Sequence, residues 1–273
     1  MLYFYNPKIM KQIFLLIGLV LSLSCSKTTH IGSAPTPPPS DAAIDLSSTL
    51  ESRILGGEQH YAVYLPPSYA KEPQRRYPVL YLLHGMYQDY KSWFSDGGLQ
   101  TAADKAIAEG ATEMIIICPN GFNSFYYNTA DMRYEDFFIQ EFVPEIERRY
   151  RILSEKEHRN IAGLSMGGFG ATYLAFQHHK LFGNAYSTSG GFIEPATTLL
   201  KNIINAKLAT EKSHFPTYTL ECGEEDALVI ESNRTLSQFL DEKQINYTKI
   251  FRQGTHNWKF WKESLPKILR SVR

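Results

Sequence analysis

The polarity pattern of the chain beyond residue 50 alternates between short apolar runs and longer amphipathic stretches. Continuous apolar runs such as YPVLYLLHG and TEMIIICPNG are typical of strands that are buried on both faces. Stretches such as LQTAADKAIAEG and ALVIESNRTLSQFLDEKQ have the spacing of amphipathic helices. The segment ESRILGGEQHYAVYLP holds two strand-like pieces around Gly56-Gly57, which predicts a hairpin. The pattern therefore predicts an α/β fold with a mostly parallel central sheet, an N-terminal antiparallel hairpin and helices on both faces.

The ends of the predicted strands are where this fold class places its chemistry, because ligands of open α/β sheets bind beyond the carboxyl ends of the strands. Residues 192–214 have no strand pattern and are expected to be irregular or helical, as a lid or a side insertion. The apolar runs end at Gly85, Asn120, Ser165, Gly190, Gly223 and Gly254.

The N-terminal segment has the pattern of an export signal. A basic residue, an apolar run too short to span a bilayer comfortably and a small-residue site ending in Cys25 predict a signal peptide over residues 1–25. The position of Cys25 predicts lipidation, while ordinary cleavage or a short uncleaved anchor are the alternatives. Residues 26–45 are rich in Pro, Ser and Thr and predict a tether. Residues 46–273 are predicted to form a single domain, held at the cell envelope as a periplasmic or cell-surface lipoprotein, or secreted if the lipid signal is not used.

Composition and charge limit the partners of this domain. The chain of 273 residues has 28 basic and 28 acidic side chains and no basic tract, so nucleic-acid binding is not expected. The only expected membrane contact is the N-terminal lipid anchor. No group of His, Asp and Glu has the spacing of metal ligands, so neither a metal nor a cofactor is predicted. Cys118 and Cys222 lie in apolar runs and are expected to be buried free thiols.

The stretch NIAGLSMGGFGA contains Ser165 within the pattern Gly-x-Ser-x-Gly, between a predicted strand and a predicted helix. A sharp strand-to-helix turn needs glycine on both sides of the serine and lifts the serine hydroxyl above the sheet. The following helix offers free N–H groups that suit an oxyanion. The alternative is a glycine-rich turn in which Ser165 caps the helix. The context favours a nucleophile.

A nucleophilic serine needs a base and an acid, which in this fold follow it in the order acid and then histidine. His256 comes directly after the last predicted strand, in the expected place for the base. His178 and His179 end the helix that follows Ser165 and are expected to interact with its C-terminus. The acid is expected after the strand TYTLECG, where the sequence offers Glu224, Glu225 and Asp226, and spacing does not choose among them.

The oxyanion needs two N–H donors, and the expected ones are the backbone of Met166 and that of Met86 or Tyr87 in the loop after YLLHG. His84 in this loop is expected to be structural. Three aromatic side chains are candidates for binding substrate. Tyr126 and Tyr127 could stack on a sugar or a phenolic ring, or could equally be packing residues, and Trp258 lies beside the predicted base.

These stretches together resemble the esterase D-like branch of the α/β-hydrolases, which includes feruloyl and acetylxylan esterases, S-formylglutathione hydrolases, tributyrin esterases and mycolyltransferases. The resemblance extends from about Leu50 to Leu269 and rests on VYLPPSY, YPVLYLLHGMYQDYKSW, NIAGLSMGGFGA, ECGEEDALV and GTHNWKFW. It implies Ser165 as nucleophile, Asp226 as acid, His256 as base, and the N–H groups of Met86 and Met166 as oxyanion donors. Thr255 and Asn257 differ from the glycine and aspartate that are common beside the family's histidine.

The resemblance and the export signal together predict an exported serine carboxylesterase that removes acetyl or feruloyl groups from plant polysaccharide or its oligosaccharides. An acyltransferase to a sugar hydroxyl on the same triad is one alternative, and a general short-chain acyl esterase is another. A carbohydrate-binding lipoprotein without catalysis is the alternative from a different class. A cytoplasmic S-formylglutathione hydrolase does not fit an exported protein.

Overall fold

The computed structural model describes residues 41–211 and 214–273. Within them, eight strands form one sheet: β1 Ala43–Ser52, β2 Gly57–Leu65, β3 Val79–Leu83, β4 Ile115–Pro119, β5 Arg159–Leu164, β6 Asn184–Thr188, β7 Thr217–Gly223 and β8 Thr248–Arg252. Their order across the sheet is β1-β2-β4-β3-β5-β6-β7-β8. The pairs β1–β2 and β2–β4 are antiparallel, and all the other neighbouring pairs are parallel. This mostly parallel sheet with an antiparallel hairpin at its start confirms the predicted fold class.

Helices cover both faces of the sheet, as predicted. The strand β3 shows the arrangement, because its side chains alternate between two separate apolar clusters. Tyr81 belongs to the cluster that contains Phe169 of the helix after β5, whereas Leu80 and Leu82 belong to the cluster that contains Trp261 of the last helix. The helices are α1 Ser92–Ser95, α2 Leu99–Ala108, α3 Tyr134–Phe137, α4 Val143–Arg149, α5 Met166–Gln177, α6 Ala196–Glu211, α7 Ile230–Glu242 and α8 Trp258–Arg270.

The predicted boundary between tether and domain is wrong by a few residues. The strand β1 begins at Ala43, and Ala43 pairs with Leu65 of β2, so the last residues of the predicted 26–45 tether belong to the sheet. The stretch AIDLSS at the start of this edge strand lacks the continuous apolar run that marks the central strands. The rest of the tether and the signal peptide, including Cys25, lie outside the described residues, and both stay predictions.

The segment expected to be a lid or an insertion is mostly the helix α6. Leu200 and Ile204 on this helix are fully buried in the core that also contains Phe176 of α5. The helix therefore forms part of the main domain. Cys118 and Cys222 are buried free thiols, as expected. In residues 41–211 and 214–273, none of the helices has the length and apolar character that crossing a membrane requires.

Candidate active site

Ser165 occupies a strained turn between β5 and α5. Its backbone has φ 52° and ψ −118°, a combination that non-glycine residues rarely adopt. A Cβ atom on Gly163 would overlap the carbonyl group of Gly167, and a Cβ on Gly167 would lie 2.5 Å from the carbonyl oxygen of Leu83. Only glycine fits on either side of the serine. The Ser165 side chain makes no capping bond to the helix, which excludes the alternative of a helix-capping serine.

The serine hydroxyl is the first group in a chain of two short hydrogen bonds. His256 Nε2 lies 2.9 Å from Ser165 Oγ, and His256 Nδ1 lies 2.7 Å from Asp226 Oδ2. Because an ionised carboxylate only accepts, Nδ1 carries the proton, and Nε2 is left to accept the proton of the serine hydroxyl. The distances and the tautomer are those of a serine, histidine and aspartate triad.

The loops that carry the acid and the base are held together by backbone contacts. A Cβ atom on Gly223, the last residue of β7, would overlap the carbonyl oxygen of Gly254 in the loop after β8. The N–H of Glu225 donates to that same carbonyl at 3.1 Å. This close approach of neighbouring strand ends brings Asp226 and His256 within hydrogen-bonding distance.

Of the three acids that the sequence left open, the structure brings only Asp226 to the histidine. Its side chain is completely buried, whereas Glu224 and Glu225 are exposed. The second carboxylate oxygen, Oδ1, accepts from the Leu228 N–H at 3.3 Å. Burial of Asp226 keeps water from competing for its hydrogen bond to His256.

His256 lies between the end of β8 and the start of α8. Its ring is nearly perpendicular to the ring of Trp261, with 5.0 Å between the centroids and an interplanar angle of 87°. Asn257 caps α8 by accepting from the Phe260 N–H at 3.1 Å. Asparagine here makes the capping bond that an aspartate would make, so the difference from the family pattern leaves this contact intact.

The backbone N–H groups of Met86 and Met166 follow the paired ends of two parallel strands. Leu83 of β3 pairs with Gly163 of β5, and each methionine comes three residues after its member of this pair. Met166 is the first residue of α5, so its N–H has no partner within the helix. The N–H of Tyr87 donates to Asn123 Oδ1 at 2.9 Å, so of the two candidate donors in this loop only Met86 stays a candidate.

His84 is structural, as expected. It is buried, its Nε2 accepts from the Gly121 N–H at 2.8 Å, and its Nδ1 donates to the Gly85 carbonyl at 2.7 Å. The bond that Nε2 accepts needs the neutral ring, and burial lowers the pKa of His84.

Tyr126, one of the two tyrosines considered for stacking on substrate, is a packing residue. Its side chain is completely buried, and its hydroxyl donates to the His84 carbonyl at 3.0 Å. The two other aromatic candidates are partly exposed. Tyr127 packs against Phe169 and Tyr173, and Trp258 packs edge-on against other tryptophans.

The side chains of the histidines at the end of α5 lie beside glutamates of other helices rather than at the C-terminus of their own. His178 Nε2 lies 2.8 Å from Glu135, and His179 Nε2 lies 2.5 Å from Glu211. Neither belongs to the site around Ser165. In the part of the chain that the structure describes, no three His, Cys, Asp or Glu side chains group as metal ligands would.

Exposed apolar side chains follow several strand ends, at positions that no sequence motif marks. Tyr87 after β3 is 83% exposed, Ile193 after β6 is 53% exposed, and Leu228 after β7 is 68% exposed. Their position could have been inferred from the strand ends, but their exposure depends on the folded loops.

Comparisons with known proteins agree with this arrangement. The family model described as "Putative esterase" matches residues 52–272. An endo-1,4-beta-xylanase/feruloyl esterase of Xylanibacter ruminicola is 34% identical over 157 residues, which are 54% of this chain and 22% of that protein. An acetyl esterase of Caldicellulosiruptor saccharolyticus is 28% identical over 215 residues, 67% of this chain and 78% of that protein. A solved structure of a ferulic acid esterase is 30% identical with a TM-score of 0.78, over 85% of this chain and 97% of that chain.

The sheet topology, the strained serine turn and its hydrogen-bonded histidine define an α/β-hydrolase of the serine carboxylic ester hydrolase class. The chain belongs to the esterase family whose model matches residues 52–272, which confirms the predicted family. It spans 22% of the length of the xylanase/feruloyl esterase that it matches.

Proposed function

We propose that the protein is an exported serine carboxylesterase that removes acetyl or feruloyl groups from plant polysaccharide or its oligosaccharides. The observation that carries this proposal is the chain of bonds from Ser165 Oγ to His256 Nε2, at 2.9 Å, and from His256 Nδ1 to Asp226 Oδ2, at 2.7 Å. A serine hydroxyl becomes a nucleophile when a base takes its proton as it attacks.

The first half-reaction transfers the acyl group to the enzyme. Ser165 Oγ bonds to the acyl carbon while its proton moves to His256 Nε2, and the carbonyl oxygen becomes an oxyanion beside the N–H groups of Met86 and Met166. The buried carboxylate of Asp226 stabilises the imidazolium that results. When the carbon–oxygen bond to the alcohol breaks, His256 gives the proton to the departing alkoxide. The products of this half-reaction are the free alcohol and an acyl ester of Ser165.

The second half-reaction repeats these steps with water. His256 Nε2 takes a proton from a water molecule as its oxygen attacks the acyl carbon, and then returns a proton to Ser165 Oγ as the ester bond breaks. The carboxylic acid leaves, and the serine is restored. A sugar hydroxyl in place of water would make the same chain an acyltransferase.

The acetyl and feruloyl substrates are proposed from the relatives and from the surface around the serine. The similar proteins are named an acetyl esterase and feruloyl or ferulic acid esterases. The exposed side chains of Tyr87, Ile193 and Leu228 give the strand ends an apolar surface that suits the ring of an aromatic acyl group.

The substrate test compares the release of acetate and ferulate from acylated xylan fragments. The wild type should release at least one of them, and Ser165→Ala should release neither and should also fail to cleave p-nitrophenyl acetate. If p-nitrophenyl acetate is cleaved but neither acid is released from xylan, the polysaccharide assignment is wrong. If Ser165→Ala keeps full activity, the esterase assignment itself is wrong.

The proposed export rests on the N-terminal sequence alone. The apolar run and Cys25 predict a lipid-anchored protein of the cell envelope. In a bacterial host, the wild type should fractionate with membranes and Cys25→Ser should not. Equal membrane fractions of the two proteins would contradict lipidation at Cys25.

A further inference from the structure

The loop after β3 that carries the Met86 N–H makes few hydrogen bonds of its own. His84 Nδ1 donates to the next carbonyl, that of Gly85, and the Gly85 N–H donates to Gln88 Oε1 at 2.8 Å. The backbone of Tyr87 has φ 62°, a conformation that side-chain-bearing residues rarely adopt without support. To point in one fixed direction, the Met86 N–H therefore needs contacts from outside this loop.

Those contacts come from one segment, Gly121–Tyr126, which begins two residues after the end of β4 and is here called the supporting segment. The Gly121 N–H donates to His84 Nε2 at 2.8 Å, and the Tyr126 hydroxyl donates to the His84 carbonyl at 3.0 Å. On the other side, the Tyr87 N–H donates to Asn123 Oδ1 at 2.9 Å. These bonds hold the loop at His84, before Met86, and at Tyr87, after Met86.

Tyr126 also contacts the helix that carries the second donor. A Cβ atom on Gly170 of α5 would overlap the Tyr126 ring, and so would a Cβ on Gly121. The ring is therefore enclosed between the supporting segment and α5, and no water reaches it. One side chain thus contacts the loop of Met86 and the helix that begins at Met166.

The supporting segment has its own internal support. The Ser124 hydroxyl donates to the Gly121 carbonyl at 2.7 Å, and the Tyr126 N–H donates to Ser124 Oγ at 3.0 Å. Seven non-glycine residues among those described have positive φ, and four of them lie in the supporting segment or in the loop that it holds. Such conformations persist where the surrounding bonds determine them, which is what a rigid support for a reacting group requires.

We propose that Asn123 and Tyr126 are positioning residues, which fix the Met86 N–H at the point where the oxyanion forms. This proposal rests on the proposed function, because an oxyanion forms only if Ser165 attacks an acyl carbon. A donor stabilises the transition state only while it is aimed at the developing charge, and small displacements reduce the rate. Loss of either contact would let the loop move without removing any group that touches substrate.

Two variants test the proposal with p-nitrophenyl acetate as substrate. Tyr126→Phe removes only a hydroxyl, and Asn123→Ala removes an exposed side chain, so both should fold. Complete loss of one oxyanion donor costs roughly 100- to 1000-fold in kcat, so a displaced donor should cost about 10- to 100-fold. KM should change by less than about twofold, because the contact is made in the transition state.

Each variant has a matched control in the same region. Tyr134 lies edge-on against Tyr126, but its hydroxyl donates to the Asn120 carbonyl, so Tyr134→Phe should keep the wild-type kcat. Asn128 Oδ1 accepts from the Asp136 N–H rather than from the loop of Met86, so Asn128→Ala should also keep the wild-type kcat. Asn123→Asp keeps an oxygen that can accept from Tyr87 and should restore most of the lost rate.

A second measurement separates positioning from general damage. A trifluoromethyl ketone forms a tetrahedral oxyanion adduct with an active-site serine, so its inhibition constant should rise in proportion to the loss of kcat/KM. The proposal is overturned if Tyr126→Phe and Asn123→Ala match their controls, or if kcat falls while inhibition by the ketone is unchanged. The activity of Ser165→Ala separates a failure of the proposed function from a failure of this inference. An active Ser165→Ala refutes the proposed function, whereas an inactive Ser165→Ala with fully active positioning variants refutes only this inference.

Discussion

Gly163 and Gly167 face each other across the turn that presents Ser165, so closely that a Cβ atom on Gly163 would overlap the Gly167 carbonyl. Gly163→Ala must therefore shift the backbone that holds the serine. We expect a loss of about 1 to 3 kcal/mol in the free energy of unfolding, with a fall in kcat of roughly 100-fold or more. Urea unfolding and steady-state kinetics measure the two effects.

Gly56→Ala is the control for this variant. Gly56 has φ 77° at the hairpin turn and open space around its Cα, so alanine should cost roughly 1 to 2 kcal/mol of stability through backbone strain alone. Its kcat should stay at the wild-type value. Equal kcat values for Gly163→Ala and Gly56→Ala would show that the glycine contact does not hold the serine.

The proposed mechanism assigns the role of orienting His256 to Asp226 and gives no such role to Glu224 or Glu225. Asp226→Asn should lower kcat by roughly 10 000-fold, because the amide can donate to Nδ1 and so favours the wrong imidazole tautomer. The exposed Glu224 and Glu225 serve as controls, and Glu224→Gln and Glu225→Gln should stay within about twofold of the wild type. A large loss in Glu225→Gln with little loss in Asp226→Asn would reverse the assignment.

His84 should make the stability of the domain depend on pH. Burial lowers the pKa of His84 below its ordinary value of 6.5, because the folded protein needs the neutral ring. The contribution of His84 is therefore complete above pH 6.5 and is lost as the pH falls toward the lowered pKa. The difference in unfolding free energy between the wild type and His84→Asn should shrink from pH 7.5 to pH 5.5, with a slope of at most about 1.4 kcal/mol per pH unit. A difference that does not change with pH would contradict the neutral ring.

The carboxylate of Glu221 in β7 is completely buried and binds two cations. It accepts from Arg252 Nε at 2.6 Å and from Lys267 Nζ at 2.7 Å. Burial alone would raise the pKa of Glu221, but the hydrogen bonds from Lys267 and Arg252 outweigh it, and the pKa is lowered. Glu221→Gln should cost about 2 to 3 kcal/mol of unfolding free energy, less than the roughly 3 to 5 kcal/mol of a fully enclosed pair, because both cations reach solvent.

Glu263→Gln is the matched control, since Glu263 binds the same arginine at 2.8 Å from an exposed position. It should change the unfolding free energy by less than about 0.5 kcal/mol. Thermal or urea unfolding of both variants checks the comparison. A loss in Glu263→Gln as large as that in Glu221→Gln would show that burial of the carboxylate is not what matters.

The sequence predicted those parts of the site that depend on local pattern and chain order. A serine flanked by glycines after a buried strand points to Ser165, and the position after the last strand points to His256. The acid was different, because Glu224, Glu225 and Asp226 are adjacent and only the folded turn decides which of them is buried. The family resemblance implies Asp226, and Asp226 Oδ2 lies 2.7 Å from His256 Nδ1.

Contacts between loops that lie far apart in the chain could not be predicted from the sequence. Tyr126 was considered for substrate because it follows a strand end, yet the ring is enclosed by glycines that lie far apart in the chain, Gly121 and Gly170. Nothing local in the sequence marks Asn123, because its amide holds a loop that lies 36 residues away. The start of β1 at Ala43 was missed for a related reason, since pairing with β2 rather than side-chain pattern makes it a strand.

The most direct test of the central claim, that His256 and Asp226 make Ser165 the nucleophile, is labelling with a fluorophosphonate followed by peptide mass spectrometry. The account predicts a single phosphonylated residue, Ser165, with no labelling of Ser165→Ala and labelling slowed by at least about 100-fold in His256→Ala. Label on a different serine, or undiminished labelling of Ser165→Ala, would contradict it.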